Sequence, residues 1–316
     1  MADLSHELSG LEVLSFGVSG AGEAIVAAAT RADSSAFLDR LVQPSGASFA
    51  KTRIEGGRQL VVIRHDGAHA KRFVVPREVL TFPDVQPLPG DQVLVVGPRC
   101  RRFPDGTVEL NGRVYGSDGR LQHEMLLGDG ISHVLTTASG KVWVGYGDEG
   151  VFGNFGWGLG GDTEPVGASG LVRFDRSGTI EWQFVPPEGF GGIDDCYALN
   201  VVSDSEVWTC YYSDFPLVRI GPGDATRGWR TNVHGVAAIV ANGEDVLFFG
   251  GYKEDRYRCQ IGRLAERDVI NVQDVQLEFE SSGGFQQGRM ASRGSALHVL
   301  SGASWFRLDI GEIGRL

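Results

Sequence analysis

Short runs of alternating or β-branched apolar residues, bounded by Gly, Asp, Ser and Pro, fill nearly the whole chain. A period of two with such punctuation predicts strands, and the three-to-four spacing of an amphipathic helix is hard to find. The one Ala-rich stretch, Glu23 to Ala29, sits between Gly22 and a polar turn and also reads as strand. Several runs share a template. VLTTASGKVWVGYGDEG (134–150) and LNVVSDSEVWTCYYSDF (199–215) each carry an apolar strand, a polar turn, the pair Val-Trp, and an acidic, aromatic loop. AIVANGEDVLFFGGYKED (238–255) is a third copy, and looser ones begin at Met290, Pro87, Ser15 and Thr52.

The apolar pair after each turn marks Ile25, Leu60, Val93, Val142, Val207, Val246 and Leu297, at intervals of 35, 33, 49, 65, 39 and 51 residues. These spacings centre on the period of four-stranded propeller blades. Counting Leu60 gives seven blades, and merging it with its neighbour gives six; seven is the expectation. Little sequence follows Leu308, so the N-terminal segment is expected to complete the last blade and leave no free sheet edge. A two-sheet sandwich also places strands every 8–12 residues, but has no reason to repeat turn and Val-Trp together. The expectation is an all-β chain, with residues 1–316 forming one β-propeller domain of four-stranded antiparallel sheets.

One whole blade reads from GISHVLTTASGKVWVGYGDEGVFG (130–153) to GLVRFDRSGTIEWQF (170–184). It resembles the blades of the regulator-propeller and lyase-propeller families. The lyase resemblance implies a metal-assisted elimination site built from His and Glu on a late blade. Here the sequence departs from that pattern, because His298 is the only histidine after residue 250. Gluconolactonase-like propellers use a cation cage of Asp, Asn and Glu in the channel, to which Asp195 and Glu149 would contribute. Such blades specify architecture and say little about activity.

Composition narrows the classes. Gly supplies 46 of 316 residues, about twice the usual share of roughly 7%, as many tight turns require. A net charge of −11 and a pI near 5.1 repel a phosphate backbone, so nucleic acid is not expected as a partner. The nearest basic group, Arg99, Arg101 and Arg102, reads as a solvated loop. No stretch of 18 apolar residues is present to cross a membrane, and MADLSHELSG is too polar for a secretory signal. Cys100, Cys196, Cys210 and Cys259 lack CxxC spacing and read as reduced thiols of a cytoplasmic protein.

In a propeller, the loops leading into the innermost strand A and those joining strands B and C share one face. That rule gathers Asp129, Asp194, Asp195 and His234 from the first set, and Tyr146, Asp148, Glu149, Asp214 and Tyr252 from the second. One chemistry open to this acidic mouth is a divalent cation held by Glu149, Asp195 and His234. Another sets Asp195 or Glu149 as general base with His234 as acid partner. Turn-building is the plainer role for Asp beside Gly. The segment 147–170 exceeds the usual loop length and carries Phe152, Phe155 and Trp157 among many glycines. These three aromatics, Trp157 among them, either fold over the mouth as a lid with a stacking surface or pack along the blade's flank. No GxSxG elbow, HExxH or phosphate-binding glycine loop in a strand–helix setting is present. His65 and His69 flank a turn, and His133 and His298 read as strand residues. The favoured function is recognition of a protein or small ligand on the face carrying 147–170; the alternative is a propeller lyase or hydrolase. Oligomeric state is left open.

Overall fold

The computed structural model describes residues 2–42, 44, 46–158, 163–277 and 288–313. Its main sheets are six, each of four antiparallel strands. Blade 1 runs Leu11–Val18, Ala24–Thr30, Arg53–His65 and Ala70–Leu80. Blade 2 is Asp84–Leu88, Gln92–Val96, Gly112–Tyr115 and Leu121–Met125. Blade 3 is Ile131–Thr136, Val142–Tyr146, Leu171–Phe174 and Ile180–Gln183. Blade 4 comprises Asp195–Ser203, Glu206–Tyr212, Leu217–Ile220 and Thr226–Trp229. Blade 5 holds Val236–Asn242, Asp245–Gly250, Cys259–Leu264 and Val269–Asp274. Blade 6 has Arg289–Arg293, Ala296–Ser301 and Ser304–Asp309. Its fourth strand is Ala2–Asp3, with Ala2 opposite Trp305 and Asp3 opposite Ser304. The expected closure by the N-terminal segment is therefore present, and the innermost strands touch in sequence around the ring.

The repeated apolar pair has a packing cause. Strand B of each blade lies between two neighbouring blades, so both of its faces are buried. Val142 joins the cluster between blades 2 and 3, while Trp143 joins the one between blades 3 and 4. Val207 and Trp208 divide the same way around blade 4, as do Val246 and Leu247 around blade 5. Six such clusters fill the six interfaces.

The count of seven blades is corrected to six. Leu60 lies on the third strand of blade 1, not on the second strand of a blade of its own. That strand is also enclosed on both faces, with Leu60 in the cluster toward blade 2 and Val61 in the one toward blade 6. It thus carries the same apolar signature. Its separation from strand B comes from an insertion holding a short helix, Arg31–Phe37, and a hairpin, Arg40–Val42 with Ser48–Ala50. Thr30 caps that helix by accepting from the Asp33 amide at 3.3 Å. The Ala-rich stretch is strand, at Ala24–Thr30. All four cysteines are free and buried. Among the described residues, no helix is long and apolar enough to cross a membrane.

Candidate functional site at the channel mouth

Two long B–C connections meet over the channel mouth. One is the blade 1 insertion, which presents Phe49; the other is the 147–170 segment, which presents Phe155. Their rings meet edge to face at 6.2 Å. Arg99, from the B–C loop of blade 2, lies beneath both, its guanidinium carbon 4.3 Å from the Phe155 ring centre and 5.4 Å from that of Phe49. Phe49 and Arg99 border a cavity of about 400 Å³ that is also lined by Arg40, Ser132, Asp148, Glu149 and Asp195. Gly130 makes the close packing possible. It adopts φ +67°, and a Cβ there would stand 2.2 Å from the Gly150 amide.

The candidate residues divide on inspection of their partners. Asp129 is buried and spent on structure, accepting from Arg99 Nε and Nη2 at 2.9 Å each and from the Cys100 amide at 2.8 Å. Glu149 takes the remaining arm of Arg99. Arg99 itself is 6% exposed, which corrects its reading as part of a solvated loop. Tyr146 is fully buried, its hydroxyl donating to the Leu127 carbonyl, and cannot meet a ligand. Trp157 is likewise buried, with Nε1 donating to the Cys100 carbonyl at 2.9 Å. In the 147–170 segment, then, Trp157 packs on the flank while Phe155 packs against Phe49 and Arg99.

Asp195 keeps an accessible carboxyl. It is half-buried at the start of blade 4, and its pKa is pushed up to about 6, first by burial and then by the nearby Asp148 carboxylate. His234 is not beside it in the cavity wall. Its ring stands edge to face on Phe215 at 5.3 Å, within an aromatic group that includes Tyr197, Tyr212 and the half-exposed Tyr252. Tyr252 donates to the Tyr197 hydroxyl at 3.3 Å. Asp194 is tied through its amide to the Tyr212 carbonyl at 3.0 Å. Asp214 lines a different cavity, of about 290 Å³, with Phe190 and Arg230. Among the described residues, no three His, Cys, Asp or Glu side chains gather closely enough to hold a metal ion. The triad of Glu149, Asp195 and His234 is therefore not assembled.

Sequence reasoning placed a channel but missed the residues that line it. Beneath the mouth it forms a cavity of about 220 Å³ lined from all six innermost strands, and Ser132 borders both spaces. Its polar lining consists of Asp84, Gln86, Ser132, His133 and Ser292. His133 is held neutral by burial, which lowers its pKa, and its Nε2 bonds the Tyr197 carbonyl at 3.1 Å. Asp84 accepts only from the Val85 amide, at 2.7 Å, and enclosure pushes its pKa up to about 7. At the opposite end Arg293 reaches from blade 6 to the Thr136 carbonyl of blade 3, closing the floor. An alternation reading could have found Asp84, because it heads an innermost strand just as Asp195 does.

Asp84 has a sign-definite consequence for stability. The folded protein retains this proton while the unfolded chain, with an ordinary carboxyl near 3.9, has already lost it. Stability must then fall as pH rises from about 4 to about 7, and level off above. Asp84→Asn keeps the acceptor for Val85 and removes the titration. It is expected to match the parent near pH 4 and to exceed it by about 4 kcal/mol at pH 8, at about 1.4 kcal/mol for each pH unit between the two pKa values. Urea unfolding at the two pH values measures this; a variant less stable at pH 8 would show that the charge is compensated.

Comparison with known proteins bears on the fold. Residues 168–303, less than half of the chain, match the YxzG family model. No curated protein matches. Among solved structures, U3-55K is 10% identical, with 96% of this chain and 78% of that one covered, at a TM-score of 0.50. Virginiamycin B lyase from Staphylococcus aureus is 14% identical over 96% of both chains, TM-score 0.42. BamB from Moraxella catarrhalis is 12% identical, covering 94% and 74%, TM-score 0.43. At such identities the likeness is one of fold alone. The chain is a six-bladed β-propeller, closed by its own N-terminal strand.

Proposed function

We propose that this propeller recognises a ligand at the channel mouth without transforming it. The observation that carries the reading is the meeting of two loop insertions, Phe155 packing on Phe49 and Arg99, which themselves line the 400 Å³ cavity. Loops on a rigid scaffold are the usual seat of binding groups. The polar groups of the mouth fall into two kinds. Asp129 and Glu149 are committed to Arg99 and hold the wall, whereas Asp148 and Asp195 are left facing the space. Acid–base chemistry would need a partner for Asp195, and His234 is engaged with the aromatic group of Phe215 instead.

Ser132 stands at the junction of mouth and channel, so Ser132→Trp fills the throat without altering charge. The test is to incubate the protein with a cell extract, wash it, and identify retained compounds and proteins by mass spectrometry. A compound or protein recovered unchanged from the parent and lost with Ser132→Trp is expected. Recovery of a chemically converted product would overturn the recognition reading in favour of an enzyme.

A further inference from the structure

We infer that closure of the ring is an acid-sensitive switch, governed by His298 behind the seam between blade 6 and the N-terminal strand. The seam is short. Ala2–Asp3 pairs with Trp305 and Ser304, and the Leu4 amide adds a bond to the Ala303 carbonyl at 2.8 Å. The outer strands of the other five blades have at least four residues each. Side chains therefore carry much of the closure. Leu4 and Leu8 share one cluster with Trp305, Phe16 and Leu300. Trp305 in turn covers His298, which is 1% exposed. The two rings stack with centres 5.8 Å apart and planes 19° from parallel, and Trp305 Nε1 donates to His298 Nδ1 at 3.2 Å.

This arrangement admits one protonation state. Nδ1 must keep its lone pair to accept from the indole, and a proton there would set two donors against each other. It would also enclose a positive ring whose charged neighbours are arginines. Strand A of blade 6 brings Arg293 and, further along, Arg289, which donates to the Val13 carbonyl at 2.9 Å. Strand C brings Arg307, directly opposite His298 in register. The Asp309 carboxylate on that strand is engaged by Ser295 Oγ at 2.6 Å and by Arg307 at 3.4 Å. Blade 1 contributes His65, whose Nδ1 accepts from the Gly67 amide at 3.0 Å and whose ring meets Trp305 edge to face at 6.2 Å. The N-terminal segment carries Asp3, His6 and Glu7, the last two 3.7 Å apart. Burial first, then Arg307 and Arg293, push the His298 pKa down to about 4.

When residues 2–8 leave, Trp305 loses its strand partner and its apolar cover, and water reaches the imidazole behind it. The ring then regains an ordinary pKa near 6.5, so the open form takes up a proton that the closed form refuses. Closure is at full strength above about pH 6.5 and weakens as pH falls toward 4. Between pH 7 and pH 5 the opening equilibrium should rise about 20-fold. Blade 6 supplies Met290, Ala291 and Ser292 to the channel lining, so release of the seam loosens one wall of the channel.

Hydrogen exchange of the intact chain, followed by mass spectrometry at pH 7 and pH 5 and corrected for the chemical exchange rate, reads the seam directly. Protection of residues 2–9 and 302–309 is expected to fall about 20-fold, while that of 131–146 in blade 3 stays unchanged. A fall shared equally by blade 3 would mean general acid unfolding and overturn the switch. His298→Asn and His298→Gln each keep an acceptor for Trp305 but do not titrate. In whichever of them circular dichroism shows to be folded, the seam should lose its pH dependence. The same fall in that variant would assign the effect to Asp3, His6 or Glu7 and overturn the proposal. The parent gives a second reading by nuclear magnetic resonance. Its His298 ring proton should titrate near pH 4, and titration at an ordinary 6.5 would equally overturn the switch.

Discussion

Replacing Arg99 by Met is expected to destabilise the protein by about 3–5 kcal/mol, the usual cost of removing one partner from a buried ion pair. The side chain is 6% exposed and saturates both oxygens of Asp129, itself 3% exposed. Its loss leaves that carboxylate enclosed with only backbone amides, chiefly that of Cys100, as donors. Asp129→Asn should recover part of the loss, so that the double variant is less destabilised than the sum of the singles. Such coupling is expected of groups sharing one network. Urea unfolding of the four proteins measures it. A single-variant loss below about 1 kcal/mol would mean that the wall of the mouth is held by its aromatic contacts alone.

The second large effect is expected at Trp157. Trp157→Ala should cost about 3–5 kcal/mol through the buried area lost and the cavity left. Trp157→Phe should cost about 1–2 kcal/mol, much of it from the orphaned Cys100 carbonyl. Deletion of residues 152–168 should likewise lower the melting temperature, because Val166 and Trp157 pack into the body of the ring. Thermal melts of the three variants decide the matter. Parent-like stability in Trp157→Ala would return the segment to the role of a detachable lid.

How far these features could be read in advance depends on where the physics is local. Strand content, the blade template and closure by the N-terminal segment follow from alternation and from the double burial of Val142-Trp143 and its counterparts. The extra blade arose because Leu60 and Val61 meet the same burial on a third strand, and periodicity does not record which strand it marks. The face of the ring was legible too, since Asp148, Asp195 and Glu149 all border one cavity. Pairing was not. Nothing in the spacing of Arg99, Asp129 and Glu149 shows that they meet, 30 and 50 residues apart. Tyr146 and Trp157 share that limit, because an aromatic at a strand end or in a loop looks the same in sequence whether its ring faces solvent or a neighbouring carbonyl.

The strand Ala2–Asp3 completes the sixth sheet by pairing with Ser304–Asp309. During synthesis, Ala2–Asp3 must therefore wait for a partner made about 300 residues later. Until the two meet, a growing chain carries five finished blades and one sheet with an open flank. Such a flank is a template for another strand, and a second nascent copy on the same messenger offers an identical one. A peptide fused ahead of Ala2 lies next to that seam. Its bulk and stiffness bear on how promptly the ring shuts, and so on whether the product leaves the ribosome alone or joined to its neighbour.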